Sequence, residues 1–304
     1  MRIGISVSSS YPGVDGRAGA RYMIERARAA RVAGLDALFV GDHHVMPTNY
    51  FQNVPILGRM LAEWGDRPAG ALFLLPLWNP VLLAEQVATL ACIAEGRFIL
   101  QCGLGDAGRQ SRGLGVDMSR RVGMFETALA ALRALWAGET VSLERHWPIV
   151  DARIAPLPPE PIDIWVGAVA PAAIERTARL AEGWLAAPSL TPAEAESAAM
   201  AYLRACAGRG RAPGAVAIRR DIYIGATTEA AEAVVAPYIA GGYRGIAPSA
   251  LVHGSVDDVV AQFQALGAAG YTDVIVRNLS SRQDECLATI ERLADVRARL
   301  GGNA

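Results

Sequence analysis

Three short segments carry residue types that could do chemistry. The first is Asp42-His43-His44, which directly follows the apolar run Ala37-Leu-Phe-Val-Gly41. An imidazole can give or take a proton near neutral pH, and a neighbouring carboxylate can orient it or anchor a ligand. The plainer alternative is a polar strand end. Adjacent side chains on an extended chain face opposite ways, and the only other histidines, His146 and His253, stand at no ligand spacing, so no metal site is expected. The second segment, Gly103-Leu-Gly-Asp-Ala-Gly108, matches G-x-G-x-x-G. That pattern binds a pyrophosphate where its glycines open a helix, but here the loop runs on past Gly115 with no helix signal before about Ser119. It reads as a barrel loop that lays backbone N–H groups near a ligand. The third, Gly167-Ala-Val-Ala-Pro171, precedes a proline-opened helix and is either an anion cradle or a tight strand–helix connection.

The elements that must position these segments alternate along the chain. Short apolar runs, β-branched or otherwise strand-like, are predicted at about Arg2–Val7, Ala37–Gly41, Gly70–Leu75, Arg97–Cys102, Ile162–Val166, Gly183–Ala187, Val216–Ile224 and Asp273–Arg277. Segments of helical period separate them, at about Gly19–Gly34, from Pro80, Ser119–Ala137, from Pro171, Pro192–Cys206 and Ser255–Ala269, with a last helix closing the chain. Eight strands alternating with helices suit a single α/β domain, a (β/α)8 TIM barrel over residues 1–304, although a doubly wound open sheet has a similar rhythm. Loop excursions are expected at about 45–65, 140–161 and 243–252, with room in the second for a small external hairpin. A barrel places its chemistry at the C-terminal strand ends, where Asp42-His43 and Arg277 fall. Arg277 is read either as facing the mouth to hold an anionic group of the substrate or as paired to a neighbouring loop.

Composition narrows the classes. Apolar residues make up 52% of the 304 and charged residues 19%, which excludes a disordered chain. A net charge of −1 gives no basic field for nucleic acid or an anionic membrane, so the expected partner is a small-molecule substrate. All 29 basic residues are arginine, which removes Schiff-base catalysis and a P-loop lysine. Cys92, Cys102, Cys206 and Cys286 lack metal or redox spacing and read as reduced core residues. Without a signal-like start or a membrane-length apolar run, a cytoplasmic location is expected.

Taken together these residues resemble the bacterial luciferase-like superfamily, whose (β/α)8 barrels use FMN or the deazaflavin coenzyme F420. The resemblance runs through Gly34–His44, Leu74–Ala84, Glu95–Phe98, Gly103–Gly105, Trp165–Ala168, Leu180–Trp184 and His253–Asp258, in order and at the family's spacing. It implies that His43 lies at the reactive ring edge as the catalytic group and that Asp42 approaches the cofactor. It further implies a non-proline cis peptide at Ala71-Leu72 or one residue later, backing the ring from a strand bulge. Asp106, Gly108 and Ser111 would contribute from the strand-four loop, and Ala168, Val169 and Ala170 would offer backbone N–H groups to a phosphate. A homodimer is also implied. The chain departs from the deazaflavin sugar-phosphate dehydrogenases of this family in having Gly108 where they carry a catalytic glutamate, and in lacking their phosphate-binding lysine. A sugar-phosphate substrate is therefore not expected. Asp-His at strand two favours an F420-dependent oxidoreductase; an FMN-dependent monooxygenase and a barrel that binds without turnover remain the alternatives.

Overall fold

The computed structural model describes residues 1–301. Eight parallel strands close into a barrel: β1 (Arg2–Val7), β2 (Ala37–Val40), β3 (Ala69–Leu74), β4 (Phe98–Gly103), then β7 (Asp163–Gly167), β8 (Gly183–Ala186), β9 (Ala215–Ile224) and β11 (Asp273–Asn278). Pairing of β8 with β9, from Gly183↔Ala215 to Ala186↔Ile218, completes the ring. The antiparallel hairpin β5 (Val141–Leu143) and β6 (Ile149–Ala152) stands outside it, as expected for the 140–161 excursion. A short β10 (Val252–Gly254) pairs with the far end of β9. Around the ring lie α1 (Gly16–Val32), α2 (Asn53–Trp64), α3 (Pro80–Ile93), α4 (Arg109–Gly113), α5 (Arg121–Trp136), α6 (Pro171–Leu180), α7 (Pro192–Ala207), α8 (Thr228–Ala240), α9 (Val256–Ala268) and α10 (Gln283–Gly301). None of the helices among the described residues is long and apolar enough to cross a membrane.

Strand alternation decides which residues reach the barrel interior. Ala37, Phe39, Ile99, Trp165, Ala215, Ala217 and Ile275 fill the lower interior, while Leu38, Val40, Ala71, Phe73, Leu100 and Val216 pack outward with the helices. Gly70 lies in the inner set; a Cβ there would stand 1.9 Å from the Ile99 carbonyl oxygen, so only glycine lets β3 and β4 approach at this level. Continued upward, the same parity turns Gly41 and His43 of the β2 end inward, with Leu72 and Leu74 of β3, Arg219 and Asp221 of β9, and Arg277 of β11.

Four expectations are corrected. The 45–65 excursion is loop only as far as Gln52, because Asn53–Trp64 forms α2 and buries Ile56, Leu57, Met60, Leu61 and Trp64 at helical spacing. Pro55 sits in its first turn, where a missing N–H costs nothing. The glycine-rich loop after β4 does contain a helix, the five-residue α4 entered from Gly108. Strand β3 is trans throughout, and the one cis bond among the described residues is Ala155–Pro156. Its ladder to β4 runs unbroken from Ala69↔Phe98 to Leu74↔Gly103, so there is no bulge to hold a bond that costs about 3–4 kcal/mol. Finally, Cys92 is exposed on α3, whereas the other three cysteines are buried. Two elements were not expected at all, α8 and β10.

Candidate active site

A cavity of about 780 Å³ opens at the C-terminal ends of the strands. One wall is built from β2, β3 and the β4 loop and carries His43, Leu72, Leu74, Asp106 and Gln110. The facing wall is built from β1, β9, β11 and the segment after α8, and carries Ser8, Arg219, Tyr243, Arg244 and Arg277. A second cavity of about 520 Å³ lies at the opposite, N-terminal end. Its charges are largely paired across strands, Arg2 with Asp273 at 2.7 Å and Arg97 with Asp163 at 3.0 Å, as a barrel's stabilising end requires.

The two histidines of the strand-two motif have opposite surroundings. His43 is half-buried at the cavity wall, its ring 5.7 Å from that of Tyr50, and no side-chain hydrogen bond holds its imidazole among the described residues. Burial pushes its pKa below the ordinary imidazole value, against the opposing charges of Asp106 and Asp42. His44 turns the other way, its Nε2 3.0 Å from Asp42 Oδ1 and its ring edge-on to Trp78. The Asp42 carboxylate raises its pKa, with burial opposing.

Asp42 is committed to the protein. Oδ2 accepts the Leu74 backbone N–H at 2.8 Å and the Trp78 Nε1–H at 2.9 Å, while Oδ1 accepts a longer bond of 3.4 Å from Asn53 Nδ2. Asn53 Nδ2 also donates to the Leu72 carbonyl, so the start of α2 pins β3 from behind. Asp42 also lines the cavity, and within the protein its carboxylate fixes Trp78 and the end of β3 beside His44.

The remaining expected residues divide. Leu72 and Asp106 face the cavity. Ala71, one residue out of phase with Leu72, is buried in the outer layer instead, so its side chain cannot back a ligand. Ser111 is buried and exchanges hydrogen bonds with the Gly108 backbone, which ties these two to each other as the entry of α4. The neighbouring Gln110 reaches the cavity and accepts the His44 N–H at 2.8 Å. Ala168, Val169 and Ala170 lie beyond the cavity wall: Ala168 is buried and accepts from Trp184 Nε1, Val169 is exposed, and Ala170 enters α6 without a side-chain cap.

Arg277 does face the mouth. It is half-buried in the cavity wall, Nη2 donating to Ser8 Oγ at 3.1 Å, and desolvation lowers its pKa, with the charge of Arg244 adding to the effect. Beside it stand residues that sequence reading missed: Arg219, held by burial at a pKa of about 10, Asp221, Tyr243 and Arg244. The signal for the first two lay in strand parity, since Arg219 and Asp221 continue the inward series Ala215, Ala217 of β9. Asn53, Trp78 and Gln110 carried no such signal.

A family model described as luciferase-like monooxygenase matches residues 1–278. An F420-dependent glucose-6-phosphate dehydrogenase of Beutenbergia cavernae is 32% identical over 190 residues, which is 56% of this chain and 56% of that protein. The chain thus spans little more than half the length of that relative. A phthiodiolone/phenolphthiodiolone dimycocerosates ketoreductase of Mycobacterium tuberculosis is 30% identical over 289 residues, 84% of this chain and 74% of the relative. Among solved structures, a monooxygenase from Streptomyces bottropensis superposes over the whole of both chains with a TM-score of 0.86 at 19% identity, a likeness of fold.

Proposed function

Because the chain belongs to the luciferase-like monooxygenase family, we propose that it is an F420-dependent oxidoreductase moving a hydride between the deazaflavin and a small organic substrate. The observation that carries this reading is His43: an imidazole facing the cavity at a barrel strand end, free of side-chain hydrogen bonds among the described residues, with burial favouring its neutral form. The curated relatives add support, one being F420-dependent by name and the other a ketoreductase by name.

The residues present fit a flat ring system. Leu72 and Leu74 offer an apolar wall, His43, Asp106 and Gln110 offer polar groups beside it, and about 780 Å³ is within the range of cofactor sites. When bound, F420 supplies a carbon centre that takes or gives a hydride. The matching proton belongs to the substrate oxygen, and His43 accepts it during oxidation or returns it during reduction. Its depressed pKa keeps the base form available to lower pH than a free imidazole would. Asp42 serves as a positioning residue, holding His44 and β3 so that His43 keeps its place. Arg277, on the facing wall, holds the substrate. The enzyme acts in the cytoplasm as a homodimer on this reading.

The test is turnover with a panel of small alcohols, aldehydes and ketones, following the absorbance of oxidised F420 in one arm and oxygen consumption with reduced FMN in the other. Bleaching of F420 by a substrate, without oxygen uptake in the FMN arm, is the expected result. Oxygen consumption with FMN and an inert F420 would make the chain an FMN-dependent monooxygenase.

A further inference from the structure

Opposite His43 the cavity wall is unusually rich in positive charge. Arg219 and Arg277 come from inward positions of β9 and β11, where Arg277 pairs in register with Asp221. Arg244 arrives from the segment after α8, held in the left-handed region at φ 51°, a conformation a non-glycine residue adopts only when its surroundings require it. That turn brings Arg244 Nη1 to 3.8 Å from Asp221 Oδ2. Among the described residues Asp221 is the one carboxylate within salt-bridge distance of this group, and its side chain is fully buried. Oδ2 accepts the Tyr243 hydroxyl at 2.9 Å, and Oδ1 lies 3.2 Å from Arg219 Nε.

The group is short of acceptors. Neither Arg219 Nε nor Asp221 Oδ1, although buried and close, makes a well-directed hydrogen bond. The one side-chain acceptor for Arg277 among the described residues is a neutral serine hydroxyl. Three guanidinium groups, those of Arg219 and Arg277 half-buried and that of Arg244 at the exposed rim, face one carboxylate, and charges drawn into a wall are normally matched. A planar guanidinium fork is the side chain best suited to a carboxylate or phosphate oxygen pair.

We propose that Arg219, Arg244 and Arg277 form an oxyanion subsite that holds a carboxylate or phosphate substituent of the substrate against the β9–β11 wall. Asp221 and Tyr243 fix the three arginines and keep their mutual repulsion in check. The substrate is then an anionic molecule whose reacting carbon lies toward His43, an assignment that rests on His43 marking the redox side. The absence of lysine, which argued against a phosphate group at the level of sequence, removes one kind of cation and leaves this one in place.

The experiment is calorimetric titration of the protein with inorganic phosphate and, separately, with acetate, alongside titration with F420. Wild type should bind at least one of the two anions, and which one it binds identifies the substituent. Arg244→Gln and Arg277→Gln should weaken that binding by about tenfold or more, the scale of a lost charge-assisted hydrogen bond, with F420 affinity preserved. Because Arg277 is half-buried in the wall, Arg277→Lys provides a second variant that keeps the charge and loses the fork; partial retention is expected. No binding of either anion to wild type, or equal binding by wild type and the glutamine variants, overturns the subsite. A parallel fall in F420 affinity also overturns it, since the arginines would then hold the cofactor's own anionic groups. If wild type binds an anion through these arginines and fails to bind F420, the subsite stands and the cofactor assignment falls.

Discussion

The two walls of the cavity are built in opposite ways. The His43 wall comes from one contiguous motif plus its supports, and its backbone is braced from behind: Asp42 accepts from Leu74 and Trp78, and Gln110 holds the His44 backbone. The arginine wall gathers Ser8, Arg219, Asp221, Tyr243, Arg244 and Arg277 from far-apart positions and leaves polar atoms without partners. A braced backbone keeps His43 at one place on the wall while its imidazole stays free to exchange a proton. An unsatisfied wall is suited to receive a ligand that completes it.

The largest expected effect falls on the first wall. His43→Ala should lower kcat by about 10²–10⁴-fold while cofactor affinity stays close to wild type, the scale of a lost general acid–base group. His44→Ala should be the milder change, since that ring faces Asp42 and Trp78. Loss of turnover in His44→Ala with an unaffected His43→Ala, measured in the same assay, would reverse the assignment of the pair.

A second effect separates positioning from chemistry. Removing the Asp42 carboxylate leaves the Leu74 N–H and the Trp78 and Asn53 donors unmatched in a buried place. Asp42→Ala should therefore cost about 3 kcal/mol or more in denaturant unfolding. Asp42→Asn keeps one acceptor oxygen and should recover part of it. Full stability in Asp42→Ala, with a loss of cofactor affinity alone, would return Asp42 to direct ligand contact.

The smallest effect is a pH dependence of opposite sign at the two histidines. His44 has its pKa raised, so its pairing with Asp42 contributes stability that is fully present below the ordinary imidazole value of about 6.5 and is lost as pH rises through the higher folded value. The stability difference between wild type and His44→Gln should accordingly shrink toward alkaline pH. His43 has its pKa lowered, so the acid limb of kcat should fall below the ordinary imidazole range. An acid limb above that range would contradict the burial of His43.

What the sequence revealed follows the same division. The barrel was legible because each parallel strand is a short apolar run between helical segments, and Asp42-His43 was legible because three chemically telling residues stand together at a strand end. Helix α2 was hidden by Pro55 and Gly58, although Ile56, Leu57, Met60, Leu61 and Trp64 show its period. The positions of Ala71 and Leu72 turned on a single step of strand parity, which an unbroken ladder fixed and sequence alone did not. Arg219 and Arg277 became neighbours only through closure of the ring, which brought β9 beside β11. Contacts such as Asn53 to Leu72 depend on the angle at which a helix returns to the sheet, and no local pattern encodes that angle.

The cofactor is the centre of the account, and side-by-side calorimetric titrations of the wild-type protein with F420 and with FMN test it most directly. Tighter binding of F420 is the expected result, with affinity retained in His43→Ala. A clear preference for FMN would contradict it.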